Sequence, residues 1–115
     1  MNITYIIALV NEKRFKMLYS LSKIPSDDLL QQCINIIMLQ KNAELLLYQD
    51  AVYLAINKTK HGKQINELAN THKIFVLEDD HIARGLQNKL LNNIIIINYP
   101  QFVELTIQHN KIISW

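Results

Sequence analysis

Three short, uninterrupted apolar runs constrain this chain more than anything else in it: LLLY at 45–48, IFVL at 74–77 and IIII at 94–97. A strand with one face in water alternates apolar and polar residues; a strand covered on both faces reads as a continuous apolar run. Such runs are short for a buried helix, which takes ten or more residues. Between them the period changes. Leu30, Cys33, Ile34 and Ile37 recur at i, i+3, i+4 and i+7 behind Ser26-Asp27-Asp28, which describes an amphipathic helix with a polar start. Residues 63–71 have a helical pattern with Ile65, Leu68 and Ala69 on one side, and PQFVELTIQ (100–108) puts Pro100 in the first turn of another helix. Leu18–Leu21 reads as a first strand, while AVYLAI (51–56) fits a short helix or a strand equally. Buried strands alternating with helices predict a single three-layer α/β domain, its mostly parallel sheet flanked by helices.

Composition narrows the function classes. A chain of 115 residues suits one domain, and a domain of that size buries roughly two thirds of the surface its unfolded chain exposes. Half the residues are hydrophobic and 19% charged, the balance of a folded globular protein. A net charge of +2 is small for a domain that grips nucleic-acid phosphates. The single cysteine, Cys33, cannot form an internal disulfide, which points to a reducing compartment. The apolar stretch ITYIIALV (3–10) is far short of the ~20 residues that span a bilayer. It is followed by NEKRFK rather than a small-residue cleavage site, so it is not read as a targeting signal. Met17 opens the first strand. The domain is therefore read as residues 17–115, with 1–16 an N-terminal extension or the product of an upstream start codon.

In an open parallel sheet, ligands bind beyond the carboxyl ends of the strands. Those ends here are Ser22-Lys23, Gln49-Asp50, Glu78-Asp79-Asp80 and Asn98-Tyr99, which gathers several carboxylates along one edge. Asp and Asn after a strand also cap the next helix, and capping is the favoured reading. Within VLEDDHIARGL (76–86), Asp79 or Asp80 would cap a short helix and Asp80 would pair with Arg84 at i+4. Gly85 would then end the helix in the left-handed conformation, with Leu86 folding back. No histidine stands at a ligand-like spacing, so no metal site is expected, and His61, His72, His81 and His109 read as surface residues. With glycine only at 62 and 85, there is no phosphate-cradling loop and no dinucleotide fingerprint, and no cofactor is expected. KTKHGK (58–63) reads as a solvated turn rather than a phosphate contact. Cys33 lies mid-helix on the apolar stripe, away from the helix N-terminus that would acidify it, and reads as structural rather than catalytic.

The series MLYSLSKIP, LLLYQDAVYLAI, VLEDDHIARGL, INYPQFVELT and a terminal Ser-Trp resembles the TusB/DsrH family, the small subunits of bacterial sulfur-relay complexes. The resemblance covers Met17 to Trp115. It is carried by Asp50, Ala83-Arg84-Gly85, the block Tyr99, Phe102-Val103 and Leu105-Thr106, and Trp115. It implies a cytoplasmic protein with the DsrE-like α/β fold, acting with TusC- and TusD-type subunits in a heterohexamer. That relay passes persulfide sulfur to a TusE-type carrier and the tRNA thiolase for 2-thiolation of the wobble uridine; the related DsrH complexes serve sulfur oxidation. The resemblance also implies that the sulfur-carrying cysteine belongs to the TusD-type chain, that this subunit is not itself an enzyme, and that no membrane and no direct tRNA contact are involved. Cys33 remains the one residue that could make the chain a persulfide carrier in its own right, since DsrH-type chains carry a cysteine at about this place. Two departures stand out. Ala51 occupies the usual glycine position of Asp-Gly-Val, where a β-carbon disfavours positive φ and would alter the turn. Asn98 replaces the usual aspartate before the tyrosine.

Overall fold

A computed structural model of the chain describes residues 15–115. The N-terminal extension expected at 1–16 therefore falls almost wholly outside the described residues. Five strands, β1 (Met17–Leu21), β2 (Ala43–Leu47), β3 (Ile74–Leu77), β4 (Ile95–Ile97) and β5 (Lys111–Ser114), form one sheet in the order β4-β3-β2-β1-β5. Every adjacent pair is parallel. Between them lie the helices α1 (Asp27–Met38), α2 (Lys60–Ala69), α3 (Glu78–Ala83) and α4 (Tyr99–Gln108), and a 3-10 segment at Gln49–Ala55. The expected α/β layering and parallel sheet are what the chain adopts. AVYLAI resolves as the 3-10 segment. The strand β5 was not anticipated: only Ile113 of its four residues is even half-buried, so KIIS lacks the apolar signal of the inner strands.

The handedness of parallel crossovers decides which helix covers which face. From β1 to β4 the chain steps across the sheet in one direction, and α1, the 3-10 segment and α2 pack on one face. There Leu30, Cys33, Ile34, Ile37, Val52, Leu54, Ile65 and Leu68 meet Tyr19, Leu21, Leu45, Leu47, Ile74 and Val76. The step from β4 to β5 reverses direction, and α4 lies on the opposite face, where Leu105 and Phe102 pack with Leu18, Leu46, Phe75, Leu77 and Ile97. The two clusters alternate along each strand, as the twofold period of a strand requires.

Local chemistry sets the helix starts. Ser26 caps α1 by accepting from Leu29 N–H, and Thr59 caps α2 by accepting from Gly62 N–H. A β-carbon at Gly62 would collide with the Ile56 carbonyl oxygen, so only glycine allows α2 to begin this close to the preceding turn. Asn98 caps α4 reciprocally with Gln101: each side chain accepts from the other's backbone N–H at 2.9 Å.

At its far end α4 is tied down by a polar contact. His109 was expected at the surface but is only 7% exposed, and it bridges two elements. Its Nδ1–H donates to Leu105 O at 2.6 Å, and its Nε2 faces the Glu44 carboxylate on β2 at 2.6 Å. Polar flanking residues hid this, because burial here comes from the sheet beneath and not from sequence neighbours. Because Leu105 is the only fully buried residue of α4, this contact carries much of the helix's attachment. Substituting His109→Leu is expected to lower stability by about 1–3 kcal/mol, since Glu44 is left half-buried and unpaired. Combining it with Glu44→Leu should recover part of that loss, a coupling that urea unfolding of the four variants measures.

Candidate functional site

Because all strands are parallel, their carboxyl ends do share one edge, and Gln49-Asp50 follows β2 as Glu78-Asp79-Asp80 follows the neighbouring β3. The chemistry there differs from simple capping. Helix α3 begins at Glu78 with Leu77 in the capping position and no side-chain cap. Asp79 and Asp80 sit in its first turn, where their charge suits the helix dipole. Asp80 reaches across to the next connection instead, its Oδ2 accepting from Gln49 N–H at 2.6 Å. Gln49 has φ +49°, so the left-handed residue of this turn is Gln49 and not Ala51. Ala51 is fully buried in the 3-10 segment, donating to Tyr48 O at 3.1 Å, and its β-carbon meets no conformational penalty.

Arg84 completes the tie. Its Nε and Nη2 donate to Asp50 Oδ1 at 3.1 and 2.9 Å, and its Nη1 donates to the Asp80 carbonyl at 3.0 Å. The expected i, i+4 pair with the Asp80 carboxylate is long, at 3.9 Å, so the nearer partner lies 34 positions away in sequence. Gly85 holds the helix end at φ +69°. Gly85 N–H donates to Ile82 O and Leu86 N–H to His81 O, both at 3.0 Å, the double bond pattern of a left-handed helix terminus. Asp50, Arg84 and Gly85 thus form one lock between the β2 and β3 connections, with the guanidinium's contacts directed inward at the protein.

The other family positions lie elsewhere. Tyr99 and Phe102 contact each other edge to face on α4, with ring centroids 6.0 Å apart; Phe102 packs on the second core cluster, while Tyr99 is 56% exposed. Trp115 follows β5, where its backbone N–H donates to Ser20 O at 3.0 Å and its ring lies 6.4 Å from Tyr19. The six residues therefore occupy three places and do not converge on a pocket. Cys33 is 1% exposed, and burial pushes its thiol up from 9.0 to about 11. KTKHGK opens α2, where Lys60 and His61 each lie 3.0 Å from Asp27. The hydrogen bonds from His61 and Lys60 hold that carboxyl below its ordinary range. An open cleft of about 690 Å³ borders this turn, lined by Lys58, Lys60 and Lys63 with Asn66, Asn92 and Asn93. Among the described residues, no three histidine, cysteine or acidic side chains gather as metal ligands would. Nor is any helix among them long and apolar enough to cross a membrane.

A parallel five-stranded sheet with helices on both faces defines a small α/β domain whose fold is shared by two solved structures. The ychN protein from E. coli superposes with a TM-score of 0.73 at 16% identity, covering 88% of this chain and 99% of that one. A protein of unknown function from Methanobacterium thermoautotrophicum, MTH1491, gives 0.68 at 12% identity, with 88% and 99% covered. Residues 23–112 match the family described as DsrH like protein. Protein TusB of Yersinia pestis (strain Pestoides F) is 40% identical over 72 residues, covering 63% of this chain and 74% of that protein. Protein TusB of Shigella flexneri is 39% identical over 79 residues, covering 68% and 80%. The chain belongs to the TusB/DsrH family.

Three outcomes are expected from this geometry. Asp80→Ala should cost about 2 kcal/mol in urea unfolding, because it strips a charge-assisted bond from the Gln49 N–H. Asp50→Ala, at an exposed carboxylate, should cost under about 1 kcal/mol. A thiol moved from 9.0 to about 11 holds about a hundredfold less thiolate at pH 8. Native Cys33 should therefore react with iodoacetamide at least that much more slowly than in the urea-unfolded chain; equal rates would contradict its burial.

Proposed function

We propose that this chain is a non-catalytic, TusB-like subunit of a cytoplasmic sulfur-relay complex, assembled with TusC- and TusD-type chains in two copies each. The complex passes persulfide sulfur to a TusE-type carrier and on toward 2-thiolation of the tRNA wobble uridine. The observation that carries this reading is the state of Cys33. The chain's only thiol is sealed in the core and held protonated, so sulfur transfer falls to a partner's cysteine. Membership of the TusB/DsrH family and the likeness to chains named TusB support this choice of complex. The family residues fit a structural role on this reading. Asp50, Arg84 and Gly85 set the shape of the carboxyl edge, Phe102 and Trp115 fasten α4 and β5, and Tyr99 stands outward for a partner. With a net charge of +2, the chain leaves tRNA contact to another component.

A DsrH-like place in sulfur oxidation would use the same subunit role, and the likeness to chains named TusB favours tRNA thiolation. Native mass spectrometry of the chain co-expressed with the TusC- and TusD-type proteins of its own organism is expected to show two copies of each. A chain that stays alone, folded and soluble, contradicts the reading. So does a gain of about 32 Da on Cys33, absent from Cys33→Ser, after incubation with a sulfur donor.

A further inference from the structure

Strand β4 ends the sheet: β3 pairs with one side of it, and among the described residues no strand pairs with the other. An unpaired strand edge is a template for a further strand, and proteins commonly blunt it with charge or proline. Here it carries neither, and Ile95 and Ile96 are 40% and 43% exposed. Beside it, on the face toward which Ile96 points, is a cavity of about 260 Å³ lined by His81, Asn88, Leu90, Asn92, Ile94 and Ile96. His81 was expected at the surface but is only 6% exposed, and its Nδ1 is buried without a hydrogen-bond partner. Such atoms are rare in folded proteins and call for a reason. The cavity is smaller than the ~300–1,000 Å³ of small-ligand sites, and suits one or two side chains of a peptide. No acid, lysine or arginine lines it. An imidazole and two carboxamides both donate and accept, so they complement an uncharged group that does the same.

We propose that β4 receives an extended segment of a partner chain, which adds to the sheet through its backbone and inserts one serine, threonine, asparagine or glutamine side chain against His81, Asn88 and Asn92. Strand addition works in this way: main-chain bonds supply affinity, and pockets for alternate side chains supply specificity. Residues of the added strand that point to the other face meet Ile95. That the partner is a chain of the relay complex rests on the function proposed above.

The test uses the full chain co-expressed with its TusC- and TusD-type partners, unaltered and as Ile96→Lys and His81→Leu, together with hydrogen exchange of the 95–97 amides. Assembly should slow exchange at 95–97 at least tenfold, and each variant should weaken assembly at least tenfold while the melting temperature of the isolated chain holds. Assembly with unchanged exchange at 95–97 and both variants assembling normally overturns the proposal and leaves the relay reading intact. Amides already protected in the isolated chain mean that the chain covers its own edge, which also overturns it. If the unaltered chain fails to assemble, the relay reading falls and the proposal with it. Should His81→Leu not fold, Ile96→Lys alone decides.

Discussion

Two parallel strands cannot be joined by a tight turn, and everything else in this domain follows from that. Each connection must travel back along the sheet, and right-handed crossovers put its helix on a face set by the direction of the step. Three steps in one direction load one face with α1, the 3-10 segment and α2, whereas the single reversed step gives the other face α4 alone. The two halves of the core are therefore held differently. One is a broad apolar cluster. The other joins five buried apolar residues of the sheet to Leu105 of a helix that is fastened at its C-terminal end by the contact between His109 and Glu44.

The same topology explains why carboxylates gather along one edge of the sheet. Parallel strands bring all their carboxyl ends to one side, so acids that cap or orient neighbouring turns accumulate there without a substrate to explain them. Asp80 bonds the backbone of a left-handed residue, and Arg84 is spent on Asp50 and a carbonyl.

Much of the fold could be read in the chain because inner parallel strands are buried on both faces, and burial shows as unbroken apolar runs. LLLY and IFVL announce themselves for that reason, while IIII carries the same unbroken run on an edge strand whose Ile95 and Ile96 are exposed. The stripe through Leu30, Cys33, Ile34 and Ile37 shows because a helix on a sheet buries one side only. AVYLAI was ambiguous since Ala51, Val52, Leu54 and Ala55 are all fully buried, leaving too little polar contrast to mark a period. β5 escaped notice because KIIS has only two apolar residues between polar ones and is mostly exposed. The lock at the carboxyl edge was half legible. The right residues were in view, but Asp80 at i−4 looked the natural partner of Arg84, and only the adjacency of β2 and β3 brings Asp50 closer. Burial of His81 and His109 left no mark in the apolar pattern: His81 is closed in by the connection that follows its helix, and His109 by Glu44 on a strand 65 positions away.

The position of β5 has a consequence for how the chain is made. β1, the first strand among the described residues, pairs on one side with β5, the last among them, and Lys16 bonds Asn110 across 94 positions. Synthesis runs from the N-terminus, so β1 through β4 emerge and can pair while one flank of β1 still waits for a strand not yet translated. That long-range closure comes late and is entropically demanding. During that interval the nascent chain exposes an apolar strand edge that the finished domain pairs, and an open edge of that kind invites pairing with the wrong neighbour.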